Sequence, residues 1–218
     1  MNGIIGLGEL LSLEDLSEAQ HDLLAPLRRS SEDLLRLVNN LIELADLEAG
    51  QVTLTPSPFA VVDMLHGLLD SQRRSAQAKG LMLVEEDDPK LPSVLIGDIN
   101  RLRLIFTHLV GNAIKFTDQG TVTISVSVQD QTAEGLKLRF CVSDTGPGIP
   151  PDKLALLGGL FVQSDGSAMR RHGGIGVGLP IARKLIELMG GKLDIDSAVG
   201  IGSRFSFTLP FALPRQSK

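Results

Sequence analysis

A single cysteine, Cys141, is the only thiol in this 218-residue chain. An intrachain disulfide is excluded, and the usage fits a reducing compartment. Cys141 stands in the apolar run Phe140-Cys141-Val142 and reads as a small core residue. No apolar run is long enough to span a bilayer. The first stretch lacks a basic segment and carries Glu9, so it does not read as a secretory leader. Positive charge is scarce as well. Residues 1–56 hold ten acidic residues against three basic ones, a net of −7, while the remainder carries +2. Without a broad basic field, nucleic acid is not an expected partner. The rest is ordinary for a globular protein, with 43% hydrophobic and 22% charged residues.

Periodicity divides the chain in two. Within residues 17–48, Leu27, Leu34, Val38, Leu41 and Ala45 form an apolar stripe near a 3.5-residue repeat, flanked by Leu24, Leu35 and Ile42. Pro26 falls inside this helix and is expected to kink or delay it. Ile4, Ile5, Leu7 and Leu11 supply a shorter stripe, with a turn over 12–17. Such a hairpin needs a partner, and a dimeric four-helix bundle is expected. Docking of the hairpin on its own globular domain is the alternative. Ala49-Gly50 ends the long helix, and Thr55-Pro56-Ser57-Pro58 reads as a linker. An α/β pattern follows. Helices are expected over 61–78 and 101–117. Strands are expected over 81–84, 93–96, 136–143 and 204–210. Thr121 to Val128 alternates cleanly, as a half-buried strand does. The expected fold class is α+β, a helical hairpin followed by a two-layer α/β sandwich with a mixed sheet.

Three motifs carry chemistry. Asp144-Thr145-Gly146-Pro147-Gly148-Ile149-Pro150 begins where the strand Phe140–Ser143 ends. A carboxylate there can accept a hydrogen bond from an exocyclic amine. Gly146 and Gly148 remove side-chain bulk so that a flat base can approach. The competing reading is an ordinary strand-to-loop turn. Asn112, mid-helix beside the stripe Leu102, Ile105, Leu109 and Ala113, is a poor helix former and needs a reason. Its side-chain oxygen suits Mg²⁺. Lys115, one turn later, can reach a phosphate. A surface Asn and a snorkelling Lys are the bland alternative. Gly174-Ile175-Gly176-Val177-Gly178-Leu179-Pro180 then leads into a helix, where free N–H groups favour an anion. A Rossmann fingerprint competes, but this run does not directly follow a strand. Between the Gly boxes, residues 154–172 form a long lid-like stretch with Arg170 and Arg171 placed to meet phosphates.

In this order the motifs resemble the catalytic domain of sensor histidine kinases, and more broadly the GHKL ATPase superfamily shared with Hsp90, DNA gyrase and MutL. The resemblance covers nearly the whole chain. It implies an ATP/ADP and Mg²⁺ site in which Asp144 binds the adenine amino group and Asn112 ligates the metal. Asn112 and Lys115 would be the catalytic residues. Gly146, Gly148, Arg171, Gly174, Gly176, Gly178 and Leu179 would complete the nucleotide site. Three stretches depart from the family, at five positions. His108 replaces a second Asn, Ile175 replaces a hydroxyl residue, and Gly158-Gly159-Leu160-Phe161 replaces Phe-Glu-Pro-Phe. Met1 to Gly6 resembles the segment just after the phosphoacceptor motif, and none of His21, His66, His108 or His172 has the acceptor setting. The chain therefore reads as part of a larger, hybrid-type kinase of a two-component phosphorelay. The acceptor histidine would lie outside it.

The expected divisions are 1–50 for the dimerisation hairpin, 51–58 for a linker, 59–214 for the ATP-binding domain and 215–218 for a tail. Expected partners are a second copy or a related sensor kinase, and a response regulator or receiver domain. No membrane contact is expected from this stretch, which would be the cytoplasmic portion of an anchored receptor. A regulatory kinase-like module with weak chemistry is the second reading, and an ATPase clamp the third.

Overall fold

The computed structural model describes residues 6–7, 10–11, 16–132, 135–154, 157 and 176–214. Helix α1 spans Glu18–Glu48. Ser17 opens it with a reciprocal cap: its hydroxyl accepts from the Gln20 N–H, and its own N–H donates to Gln20 Oε1 at 2.8 Å. The kink expected at Pro26 does not interrupt the helix. Proline leaves the carbonyl of Asp22 without its usual donor. Both residues are exposed, so water can take that carbonyl. Leu27, Leu34, Val38 and Leu41 are 39% to 53% exposed, whereas Leu44 is buried. The stripe residues Ile4 and Ile5 and most of the turn lie outside the described residues. Among the described residues no helix is long and apolar enough to cross a membrane.

Among the described residues seven strands form one mixed sheet: β1 (Ser57–Phe59), β2 (Met82–Asp87), β3 (Leu95–Gly97), β4 (Thr121–Gln131), β5 (Gly135–Asp144), β6 (Leu193–Ala198) and β7 (Gly202–Ala212). Their order is β1-β3-β7-β5-β4-β2, with β6 also on β7. One edge of β7 pairs with β5 over its whole length. The other edge is shared, β6 taking Gly202 to Phe207 and β3 taking Ala212. Only β2 and β4 run parallel among the described pairs. Side chains alternate along a strand, and burial follows. Val122, Ile124 and Val126 of β4, Leu138, Phe140 and Val142 of β5, and Phe205, Phe207 and Leu209 of β7 are buried. Thr123, Ser125, Arg139 and Arg204 lie on the wetter face.

Helices α2 (Val61–Gln77), α3 (Ile99–Phe116) and α5 (Gly178–Leu188) bury apolar faces in one common core with the sheet, and α4 (Pro151–Leu154) is a single turn. Phe106 of α3 meets Phe140 and Phe207 at centroid distances of 5.5 and 5.7 Å. The first pair is edge-to-face and the second tilted, and aromatic pairs of this kind contribute about 0.5–1.5 kcal/mol beyond area burial. Two strands depart from expectation. Ser57 and Pro58, read as linker, pair with Gly97 and Ile96 in β1. Proline is tolerated there because β1 is an edge strand. Strand β6 has only two large apolar residues, too few to read as a strand.

Helix α3 begins earlier than its apolar pattern indicates. Buried Asp98 caps it, Oδ1 accepting from the Arg101 N–H at 3.0 Å. Oδ2 accepts from the Thr55 N–H at 2.8 Å, which pins the connecting segment to the same carboxylate. Arg101 also donates to Glu43 of α1 at 2.8 Å. Burial raises the Glu43 carboxyl above its usual range, and Arg101 partly offsets this. At the other end, Lys79 Nζ donates to the carbonyls of Ile114 and Lys115 at 2.9 and 2.7 Å, satisfying acceptors that a helix end leaves free.

Candidate functional site

Strand β5 delivers Asp144 between Val122 of β4 and Ser203 of β7. Its Oδ1 accepts from the Gly146 N–H at 2.9 Å. Burial pushes the carboxyl above the usual aspartate range, and backbone N–H groups of Gly146 and Ser203 pull part of the way back. Gly146 is packed onto the end of α3. A Cβ there would stand 2.9 Å from Asp144 Oδ1, 3.1 Å from Thr117 Oγ1 and 3.2 Å from the Phe116 carbonyl. Thr117 is fully buried, and its hydroxyl has no hydrogen-bond partner among the described residues. A half-buried carboxylate and an unpaired buried hydroxyl thus flank one glycine. Gly148 has a different task. Its φ is +69°, and a Cβ would collide with the Ala198 carbonyl, so it lets the loop close on β6. Ile149 N–H donates to Ser197 Oγ at 2.8 Å, which fixes the same closure.

His108, Asn112 and Lys115 recur at helical spacing on α3, beside its buried stripe. Each is partly buried. Burial lowers the Lys115 ammonium below its ordinary range. Asp33 and Arg36 of α1 lie within electrostatic reach of it, so α1 runs past this part of α3. Lys115 Nζ sits 4.9 Å from the Phe116 ring centroid. His108 is wedged beneath the start of α5: a Cβ on Gly178 would stand 2.9 Å from its Nδ1. Its Nε2 is buried without a partner among the described residues, and burial pushes its pKa down to about 4. The imidazole is therefore neutral near pH 7, and it offers no cation to a phosphate.

Helix α5 carries the last group. Val177 precedes it and provides no side-chain cap, so the first-turn N–H groups of Gly178 and Leu179 lack a side-chain acceptor, while the Ile181 N–H already donates to the Val177 carbonyl at 3.2 Å. Gly176 turns with φ +72°. The Leu179 side chain is buried in the core, so its backbone N–H is what it can offer a ligand. Arg171, Gly174 and the departures Gly158, Gly159 and Ile175 lie outside the described residues.

Residues 97–213 match the family described as histidine kinase-, DNA gyrase B-, and HSP90-like ATPase, and residues 1–50 match the His Kinase A (phospho-acceptor) domain. The chain belongs to the sensor histidine kinases. It is 39% identical over 218 residues to the sensor protein GacS of Pseudomonas syringae pv. syringae, spanning 100% of this chain and 24% of GacS. It is 37% identical over 207 residues to the histidine-protein kinase BarA of Escherichia coli (strain K12), covering 95% of this chain and 22% of BarA. The crystal structure of full-length ShkA in complex with AMPPNP superimposes with a TM-score of 0.82 at 34% identity, covering 98% of this chain and 43% of ShkA. The histidine kinase chain thus spans about a quarter of the curated relatives named here. Neither the clamp nor the purely regulatory reading is favoured by these likenesses, which run through both the hairpin and the catalytic domain of sensor kinases.

The motifs of this histidine kinase brought Asp144, Gly146, Asn112 and Lys115 into view, but not Thr117, Ser203 or Asp98. Thr117 appeared only as a helix end. Its position directly after the Lys-Phe pair, facing a Gly that follows an Asp, becomes visible once the strand and helix are brought together.

Proposed function

We propose that the chain binds Mg-ATP and transfers the γ-phosphate to a histidine outside its own four. The observation that carries this is the convergence of the Asp144 carboxylate and the orphan Thr117 hydroxyl at one glycine of the loop that follows β5. The adenine would sit there, with its amino group toward Asp144. The fit for the remaining groups rests on donor chemistry. Asn112 offers a hard, neutral oxygen suited to Mg²⁺, Lys115 a positive charge, and the uncapped first turn of α5 a set of N–H donors for phosphates. Mg²⁺ would neutralise phosphate charge, while these residues hold the nucleotide in line for its acceptor. Gly148, Arg171, Gly174, Gly176 and Leu179 complete the proposed site through backbone and, for Arg171, a guanidinium.

The proposed organisation is a hairpin over 1–50, a linker over 51–58 and the ATP-binding domain over 59–214. The whole protein would be a membrane-anchored hybrid receptor that passes phosphate to a response regulator or receiver domain. The test is label transfer from ATP, with Mg²⁺, to a catalytically inactive sensor kinase that keeps its acceptor histidine. Acid-labile label is expected on that partner, and Asn112→Ala should remove most of it while sparing the fold. Label that persists undiminished in the variant would remove Asn112 from the metal role.

Dimerisation is proposed through α1, paired with a second copy or a related sensor kinase. The half-exposed face of Leu27, Leu34, Val38 and Leu41 is too apolar to stay in water. Light scattering should find a monomer for a chain beginning at Pro56 and a dimer for one with the full hairpin. Two monomers at high concentration would refute the pairing.

A further inference from the structure

His66 of α2 and Glu85 and Asp87 of β2 form a cluster outside the nucleotide site. Glu85 and Asp87 are two apart on one strand and so share a face, the face that packs toward α2. Their carboxylate oxygens and an imidazole nitrogen of His66 lie within 4.8 Å of one another. His66 Nε2 stands 3.3 Å from Glu85 Oε2. That equals the edge, about 3.3 Å, of a tetrahedron with metal–ligand bonds of ~2.0–2.1 Å. Glu85 Oε1 is sealed from solvent and has no hydrogen-bond partner among the described residues. The surroundings leave negative charge in excess. Asp70, one turn beyond His66, also raises the Glu85 carboxyl, after burial and Asp87, while its own partner is Arg73 at 3.1 Å. The His66 side chain is 61% exposed, which leaves an entry path and room for water as a further ligand.

We propose that His66, Glu85 and Asp87 form a site for a divalent transition ion of the zinc class. One imidazole nitrogen with two carboxylates suits such an ion better than Mg²⁺, which favours oxygen alone. The site is separate from Asp144. Along β4, Asp87 pairs with Val126 and Asp144 with Val122, four residues apart or roughly 13 Å. The ion would clamp α2 to the edge strand β2.

The chain, stripped of metal by chelator, is titrated with Zn²⁺ against a chromophoric chelating dye. One equivalent of Zn²⁺ is expected to bind, with Mg²⁺ in excess failing to displace it. His66→Ala and Asp87→Asn, both at exposed positions, should each weaken binding tenfold or more, the scale on which even supporting groups of a metal site act. Their affinity for a fluorescent ADP should stay at the wild-type value, which shows the fold is kept. A wild-type chain that takes no zinc overturns the site. So does a His66→Ala variant that binds as tightly as wild type, because the ion would then sit on other histidines.

Discussion

Asp144→Asn should weaken ADP binding by roughly 1–3 kcal/mol, about five- to 150-fold, the loss expected when a charged hydrogen bond becomes neutral in a partly buried place. The substitution keeps the shape of the side chain. Its carbonyl oxygen can still accept from the Gly146 N–H, so the loop after β5 should hold. What disappears is the negative charge beside Thr117. Acid should act in the same direction: burial already raises the Asp144 carboxyl, so protonation begins at a higher pH than for a free aspartate. Calorimetry of ADP at pH 7.5 is the check. Equal affinity in wild type and variant would remove Asp144 from the adenine contact.

The second large effect is on stability. Between pH 7.5 and pH 5 the chain should lose about 2 kcal/mol through His108, of a full ~3 kcal/mol below pH 4. The sign follows from its pKa of about 4 in the fold against 6.5 unfolded. Within that window the unfolded chain binds the extra proton, so stability falls with acid and is fully present above 6.5. Burial beneath Gly178 is the cause. Glu43, Glu85 and Asp144 have raised carboxyls and act in the opposite sense, since protonation relieves their burial. The comparison with His108→Asn isolates the histidine. Urea unfolding at both pH values should show the loss in wild type and its absence in the variant. Equal losses in the two would mean that His108 is not the group responsible.

Much of the fold was legible where one pattern dominates. The alternation of Val122, Ile124, Val126 and Val128 identified β4 because the sheet keeps one face wet. The α3 stripe was equally plain. Strand β1 was hidden by Pro58, and β6 by the polar alternation of Asp194 and Asp196. The start of α3 was missed because Asp98 works through its side chain, which no apolar repeat records. At the site, Asp144 and Asn112 stand in motifs, whereas the contact of His108 with Gly178 joins positions seventy residues apart. Sequence spacing carries no trace of that approach, nor of the unpaired Thr117 hydroxyl.

Asp98 serves two masters. One oxygen holds the connecting segment at Thr55 and the other the first turn of α3, while Arg101 on that turn grips Glu43. A helix resists stretching along its axis, and the eighteen residues of α3 reach about 27 Å. A displacement of α1 would therefore bear on the Glu43–Arg101 ion pair and the Thr55–Asp98 bond together, and α3 would carry it toward Thr117, which meets the same glycine as Asp144. The contacts of α1 and the loop after β5 thus lie at opposite ends of one stiff helix, so a change at either end would be a load on the other.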